Sequence, residues 1–143
     1  MQPKKQFGIA WILLAGALSL HVTDEALTDF LSVWNPLVRT IREHVSFFPL
    51  PTFTFSLWLG GLIVGVLLLL TLSPYAFRGA RWMVPLAYFL GIMNVGNGLF
   101  HIGGSFYLGR PMSGVYSSPV LIAAAVYLLM SVRKRHQWDD SSR

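Results

Sequence analysis

A chain of 143 residues that is 54% hydrophobic and only 12% charged lies far below the roughly 25% charged residues of a soluble domain, so water is not its main solvent. The absence of cysteine excludes disulfides, thiol nucleophiles, iron–sulfur clusters and thiolate metal ligands, leaving histidine, carboxylate and amide oxygen as metal donors. The net charge of +5 sits in short basic clusters at the ends of apolar runs and is not interleaved with stacking aromatics, which argues for membrane orientation and against nucleic acid.

The apolar runs are evenly spread with no linker between them, so one domain over 1–143 is expected, an all-α, integral membrane, four-helix transmembrane bundle. The first helix is predicted over about 7–34. Its apolar stretch from Phe7 to Leu20 is short of the roughly 20 residues needed to cross a bilayer, but no Gly or Pro intervenes from His21 to Trp34. Val22, Ala26, Phe30 and Val33 continue at helical spacing opposite a stripe of His21, Asp24, Glu25, Thr28 and Ser32, until Pro36 supplies a stop. Such a helix would be on the order of 40 Å long, so its second half is expected to bend or emerge into the interface. The competing reading of the same stretch is a cleaved signal peptide over Met1 to about Ala17, headed by Lys4 and Lys5.

The second helix is predicted over 53–73. Gly61 and Gly65 within it form a small-xxx-small pair suited either to packing inside the bundle or to a homodimer. The third is predicted over 81–105, with Pro85 as a candidate kink, and the fourth over 115–133, followed by a disordered tail over 136–143. His44 and His136 fall in a loop and in the tail, where no role is assigned.

Four spans would put both termini and the loop between the second and third helices on one side of the membrane. That side carries Lys4, Lys5, Arg78, Arg81, Arg133, Lys134, Arg135 and Arg143, against Arg39, Arg42 and Arg110 on the other. The positive-inside rule therefore predicts cytoplasmic termini, and a plasma (inner) membrane location, with Trp58 and Trp82 near the interfaces.

Two polar trios interrupt the apolar pattern. His21, Asp24 and Glu25 stand at i, i+3 and i+4, and Asn94, Asn97 and His101 at i, i+3 and i+7, so each trio shares one helical face. Gly91, Gly98 and Ser105 lie on the same face of the third helix and allow close approach of a neighbour. Counted from the cytoplasmic ends, His21 lies about 21 Å along its helix and Asn97 to His101 about 22–28 Å along theirs, so the trios can meet. A carboxylate at bilayer depth costs at least about 2.5–3.5 kcal/mol, so Asp24 and Glu25 need partners, and His21 and His101 are at hand.

His21-Val22-Thr23-Asp24-Glu25, followed by Asn97, His101 and a glycine turn at Gly114, resembles the HXXEE-motif family of small integral membrane proteins. The resemblance implies that His21, Glu25 and His101 belong together, and it assigns no reaction. Two departures stand out. Asp24 replaces the first glutamate of the motif with a shorter side chain, and Pro111-Met112-Ser113-Gly114 stands where the family has a Tyr-x-Pro-Gly turn.

Three chemistries fit these residue types. The first is a metal centre of His21, Glu25 and His101, with Asp24 as a further donor, suited to zinc, iron or manganese. The second is acid–base catalysis on a lipid-soluble substrate, with Glu25, Asp24 and His101 as the catalytic groups and Asn94 and Asn97 donating hydrogen bonds to developing charge. The third is a proton- or cation-coupled transporter or sensor. The bland alternative is that the polar groups cap or glue helices in a packing subunit without catalysis. Ser105 near His101 lacks the Gly-x-Ser-x-Gly elbow of a nucleophilic hydrolase, and Gly96-Asn97-Gly98 lacks the ending of a phosphate loop.

Overall fold

The computed structural model describes residues 2–45 and 50–141, and among them the secondary structure is entirely helical. Five helices follow in order: α1 Pro3–Leu27, α2 Leu31–His44, α3 Phe55–Arg78, α4 Met83–Leu108 and α5 Ser118–Ser141. Three of them, α1, α3 and α4, are long and apolar enough to cross a membrane. At 1.5 Å per residue, their 25, 24 and 26 residues give lengths of roughly 36–39 Å, more than a hydrocarbon core of about 30 Å requires.

The first helix does not run on to Trp34. It ends at Leu27 and a second helix begins at Leu31. The reason is a backbone bond that needs no glycine in the sequence. Asp29 adopts a left-handed φ of 54°, and Phe30 N then donates to Glu25 O at 3.1 Å, the closing bond of a helix C-terminus that glycine usually supplies. Thr28 ties the turn down through Oγ1, which donates to Asp24 O at 2.6 Å and lies 2.7 Å from Ser113 Oγ. Because Asp29 is the single non-glycine residue with positive φ among those described, Asp29→Gly should raise the thermal midpoint in detergent, by about 0.5–1 kcal/mol of relieved strain, while Asp29→Val should lower it by more.

Pro36 lies inside α2 and does not stop it. This helix is fastened to the segment that leads into α3: Asn35 Nδ2 donates to Phe53 O at 2.9 Å, Phe53 N returns a bond to Asn35 Oδ1 at 3.0 Å, and Trp34 Nε1 donates to Pro51 O at 3.1 Å. Pro85 falls on the third residue of α4, where the backbone N–H needs no partner, so no kink is required there. At the other end of the chain α5 continues to Ser141, so the part of the expected disordered tail from 136 to 141 is helical, and residues 142–143 lie outside the described residues.

Helix α1 packs on α3 and α5, and α5 on α4. The shared core runs from Phe7, Trp11 and Leu14 of α1 through Met83 and Ala87 of α4 to Leu121, Leu128 and Val132 of α5. A buried bond from Trp11 Nε1 to Leu69 O, 2.7 Å long, joins α1 to α3 where the surroundings are apolar. Glycine sets the close approach of α4 to α5, since a Cβ at Gly91 would stand 2.6 Å from Leu129 and one at Gly98 2.5 Å from Ile122. Gly61 and Gly65 are different, with nothing within 4 Å of an added Cβ, so this pair does not pack inside the chain. The outer face of α3 presents Leu57, Ile63, Val64, Leu67 and Leu68, a continuous apolar surface of the kind that faces lipid or a partner.

Candidate metal centre

The helical spacing i, i+4 stacks His21 and Glu25 on one face of α1, and the docking of α5 between α1 and α4 brings His101 of α4 against them. All three are enclosed, with His21 and His101 0% exposed and Glu25 5% exposed. Their Nε2 atoms converge on one carboxylate oxygen: His101 Nε2 is 3.0 Å and His21 Nε2 3.6 Å from Glu25 Oε1. One donor atom from each residue lies within 4.8 Å of the other two, and the imidazoles meet edge to face at 4.8 Å between centroids.

The second ring nitrogen of each histidine is engaged elsewhere. His101 Nδ1 bonds Ser113 O, and a carbonyl can only accept, so the proton of that ring is on Nδ1. In the neutral imidazole Nε2 is then bare and directs its lone pair toward the centre. Neither His21 Nε2 nor His101 Nε2 has a hydrogen-bond partner among the described residues. Glu25 Oε1 is near both, but at 3.6 Å it lies beyond bonding distance of His21 Nε2, and at 3.0 Å it forms no hydrogen bond with His101 Nε2. The bare His101 Nε2, the unpartnered His21 Nε2 and the Glu25 carboxyl thus meet in a buried interior, an arrangement that costs several kcal/mol unless a cation is shared between them. Ligands of a tetrahedral metal at about 2.0–2.1 Å stand roughly 3.3–3.4 Å apart; the two histidine–glutamate separations of 3.6 and 3.0 Å bracket that spacing, and all three donors lie within 4.8 Å of one another. Two imidazoles and one carboxylate are also the donor set that zinc, iron and manganese accept. The residues fit a divalent metal.

The walls of the centre are aromatic side chains, backbone and the hydroxyls of Ser113 and Ser117. Phe30 lies over the His101 ring at 5.5 Å and Phe100 stands edge-on to it at 5.5 Å. Gly114, with a φ of +79°, closes the remaining side so tightly that a Cβ there would stand 2.9 Å from His101 Cε1 and Nδ1 and 3.0 Å from Glu25 Cγ. Ser113 Oγ donates to Glu25 O at 3.3 Å. Ser105, one turn beyond His101, does not reach the carboxylate. Its hydroxyl donates to His101 O and accepts from Met112 N, both at 2.8 Å, fixing the turn that carries Ser113 and Gly114.

The other residues singled out in the sequence fall outside this group. Asp24 points to the start of α5, where its Oδ2 accepts from Ser117 N at 2.9 Å and Ser117 Oγ at 2.7 Å. Asn94 is buried and donates to Leu90 O of its own helix at 2.8 Å, about 10 Å along the axis from His101. Asn97 is half-buried. No hydrogen bond links either asparagine to the trio among the described residues.

Ser113 and Ser117 are the polar partners that sequence reasoning missed. The available signal was the run from Ser113 to Ser118 directly after a glycine-bounded turn, where hydroxyls at the head of a helix find neighbours to bond. Comparison of the chain with protein-family models, curated proteins and solved structures found no match.

Proposed function

We propose that the chain is an integral membrane protein of the plasma membrane whose His21–Glu25–His101 centre holds a divalent metal, zinc, iron or manganese, and acts there on a lipid-soluble substrate. The observation that carries this reading is the convergence of two unpartnered, buried Nε2 atoms on one glutamate oxygen. When bound, the metal supplies a Lewis acid for polarising a substrate oxygen. The chain's own groups do the rest: Glu25 balances charge, the two imidazoles orient the donor set, and Phe30, Phe100 and Gly114 keep water out.

The same reading takes α5 as the fourth span. Its buried residues Leu121, Ala125, Leu128 and Val132 share one core with Phe7 and Met83, while Ser117 at its head contacts His21, so α5 lies beside α1 over most of that helix's length. The basic residues at 78, 81 and 133–135 then favour cytoplasmic termini. The outward-facing Gly61 and Gly65 suit a homodimer contact within the bilayer. Membership of the HXXEE-motif family is part of this proposal and rests on His21, Glu25 and His101.

A metal-free acid–base or proton-relay centre is the second reading. It is favoured by the 3.0 Å separation of His101 Nε2 and Glu25 Oε1, a distance that a shared proton also satisfies.

Elemental analysis separates the two readings. Detergent-purified, tag-free protein should carry about one equivalent of a divalent metal per chain, and a His21→Ala, His101→Ala double variant none. An equally metal-free parent, after exposure to zinc, iron(II) and manganese in turn, would sink the metal reading and leave the proton relay.

A further inference from the structure

We infer that Ser117 and Asp24 are positioning residues of the centre: a chain from the Asp24 carboxylate through the Ser117 hydroxyl to His21 Nδ1 fixes the second imidazole with its bare nitrogen toward Glu25. The inference rests on the reading of the trio as a cation site, but the tautomer it specifies exists with or without the metal.

The argument is a count of protons. His21 Nδ1 lies 2.9 Å from Ser117 Oγ, a contact that either atom can donate. The serine hydroxyl has one hydrogen and three acceptors in reach: Asp24 Oδ2 at 2.7 Å, Gly114 O at 3.2 Å and His21 Nδ1 itself. The carboxylate is nearest and the only charged one, and charge-assisted bonds are the shorter and stronger. Once the hydrogen goes to Asp24, or to the carbonyl, Ser117 Oγ can only accept from the ring. His21 therefore carries its proton on Nδ1 and leaves Nε2 bare, the tautomer that the Ser113 carbonyl imposes on His101.

Both histidines are thus set alike by two residues of one short segment, and Asp24, which the sequence offered as a ligand or catalytic acid, acts one residue removed from the donor set. Such outer partners of a metal-bound histidine fix the ring orientation, and their loss costs 10- to 100-fold in affinity.

Asp24 also accepts from Ser117 N and so caps the head of α5, a structural task that would leave the ring tautomer untouched. The test must therefore read the ring. Nitrogen-15 NMR of imidazole-labelled, metal-free full-length protein in nanodiscs, with the His21 signals assigned by His21→Gln, should show protonated Nδ1 and bare Nε2 in the parent. Ser117→Ala should move the equilibrium toward protonated Nε2 and weaken zinc binding 10- to 100-fold, whereas Ser117→Thr, which keeps the hydroxyl, should retain both parent properties. Asp24→Ala should shift the tautomer in the same direction but by less, because the freed hydroxyl is then divided between the Gly114 carbonyl and the ring. A parent His21 protonated on Nε2, or a tautomer unchanged in Ser117→Ala and Asp24→Ala, overturns the inference. Absence of zinc binding in the parent together with the expected tautomers would refute the metal reading alone and leave the positioning chain standing.

Discussion

Glu25→Gln should remove metal binding altogether while making the metal-free protein more stable. The carboxylate is 5% exposed and faces the lone pair of His101 Nε2 and, with the tautomer inferred above, that of His21 Nε2, so without a cation it is a buried charge among acceptors, which burial penalises by several kcal/mol. Glutamine has nearly the same shape and brings an N–H that can donate to the bare His101 Nε2 now 3.0 Å from Oε1, so the metal-free centre gains a partner and loses a charge. A rise in thermal midpoint equivalent to about 1–3 kcal/mol is expected in chelator-treated protein. Added zinc should stabilise the parent in proportion to the logarithm of its concentration and leave the variant unchanged. Thermal melts of both proteins over a zinc series in detergent provide the check. A variant that melts lower than the parent in chelator would mean that Glu25 is held by favourable pairing in the metal-free state, as the proton-relay reading requires.

Gly114→Ala should damage the protein in two ways at once, through backbone strain and through overlap with the centre, and Gly109→Ala is the control that separates them. Both glycines are left-handed, with φ of +79° and +62°, so both substitutions incur about 1–2 kcal/mol of backbone strain. At Gly109 nothing lies within 4 Å of the added Cβ, whereas at Gly114 it meets the His101 ring at 2.9 Å and Glu25 Cγ at 3.0 Å. Neither neighbour can yield cheaply: the ring is bonded to Ser113 O, and Glu25 lies inside α1 with its carbonyl bonded by Phe30 N and Ser113 Oγ. Overpacking of this kind adds about 1–3 kcal/mol, for a total loss of about 2–5 kcal/mol, and it pushes apart the donors that should bind metal. The measurement is the midpoint of unfolding together with zinc affinity. Gly109→Ala should lower only the first and Gly114→Ala both.

The sequence made the polar pairs legible because helical spacing is a strong constraint: i, i+4 places His21 and Glu25 together whatever the rest of the chain does, and the depth count along two parallel helices brings His101 to their level. The helix break at Asp29 was not legible. Its signal in most chains is glycine, and here an aspartate takes the left-handed position, held by Thr28 and by the bond from Phe30 to Glu25. The place of Asp24 was not legible for a related reason. Spacing put it near Glu25 on α1, but its partner is Ser117, and nothing in a single sequence shows which of two neighbouring carboxylates will face the centre and which the start of another helix. Asn94 shows the limit from the other side, since a polar residue on the right face can spend its donor on its own helix.

The donors of the centre come from α1 and α4, near the beginning and toward the end of the chain, and this has a bearing on biosynthesis. With α1 as a span, as proposed above, Glu25 enters the bilayer well before His101 exists, so the carboxylate has at first only His21 on its own helix to face, at a cost of about 2.5–3.5 kcal/mol at bilayer depth. Helix α1 alone is for that reason a reluctant insert, and the turn carrying Ser113 and Gly114 is made later still. A nascent chain stopped before the turn of Ser113 to Ser117 lacks the groups that hold both imidazoles, and since that turn is held between α1 and α5, the metal binding proposed above belongs to the assembled bundle and would report that α5 has docked.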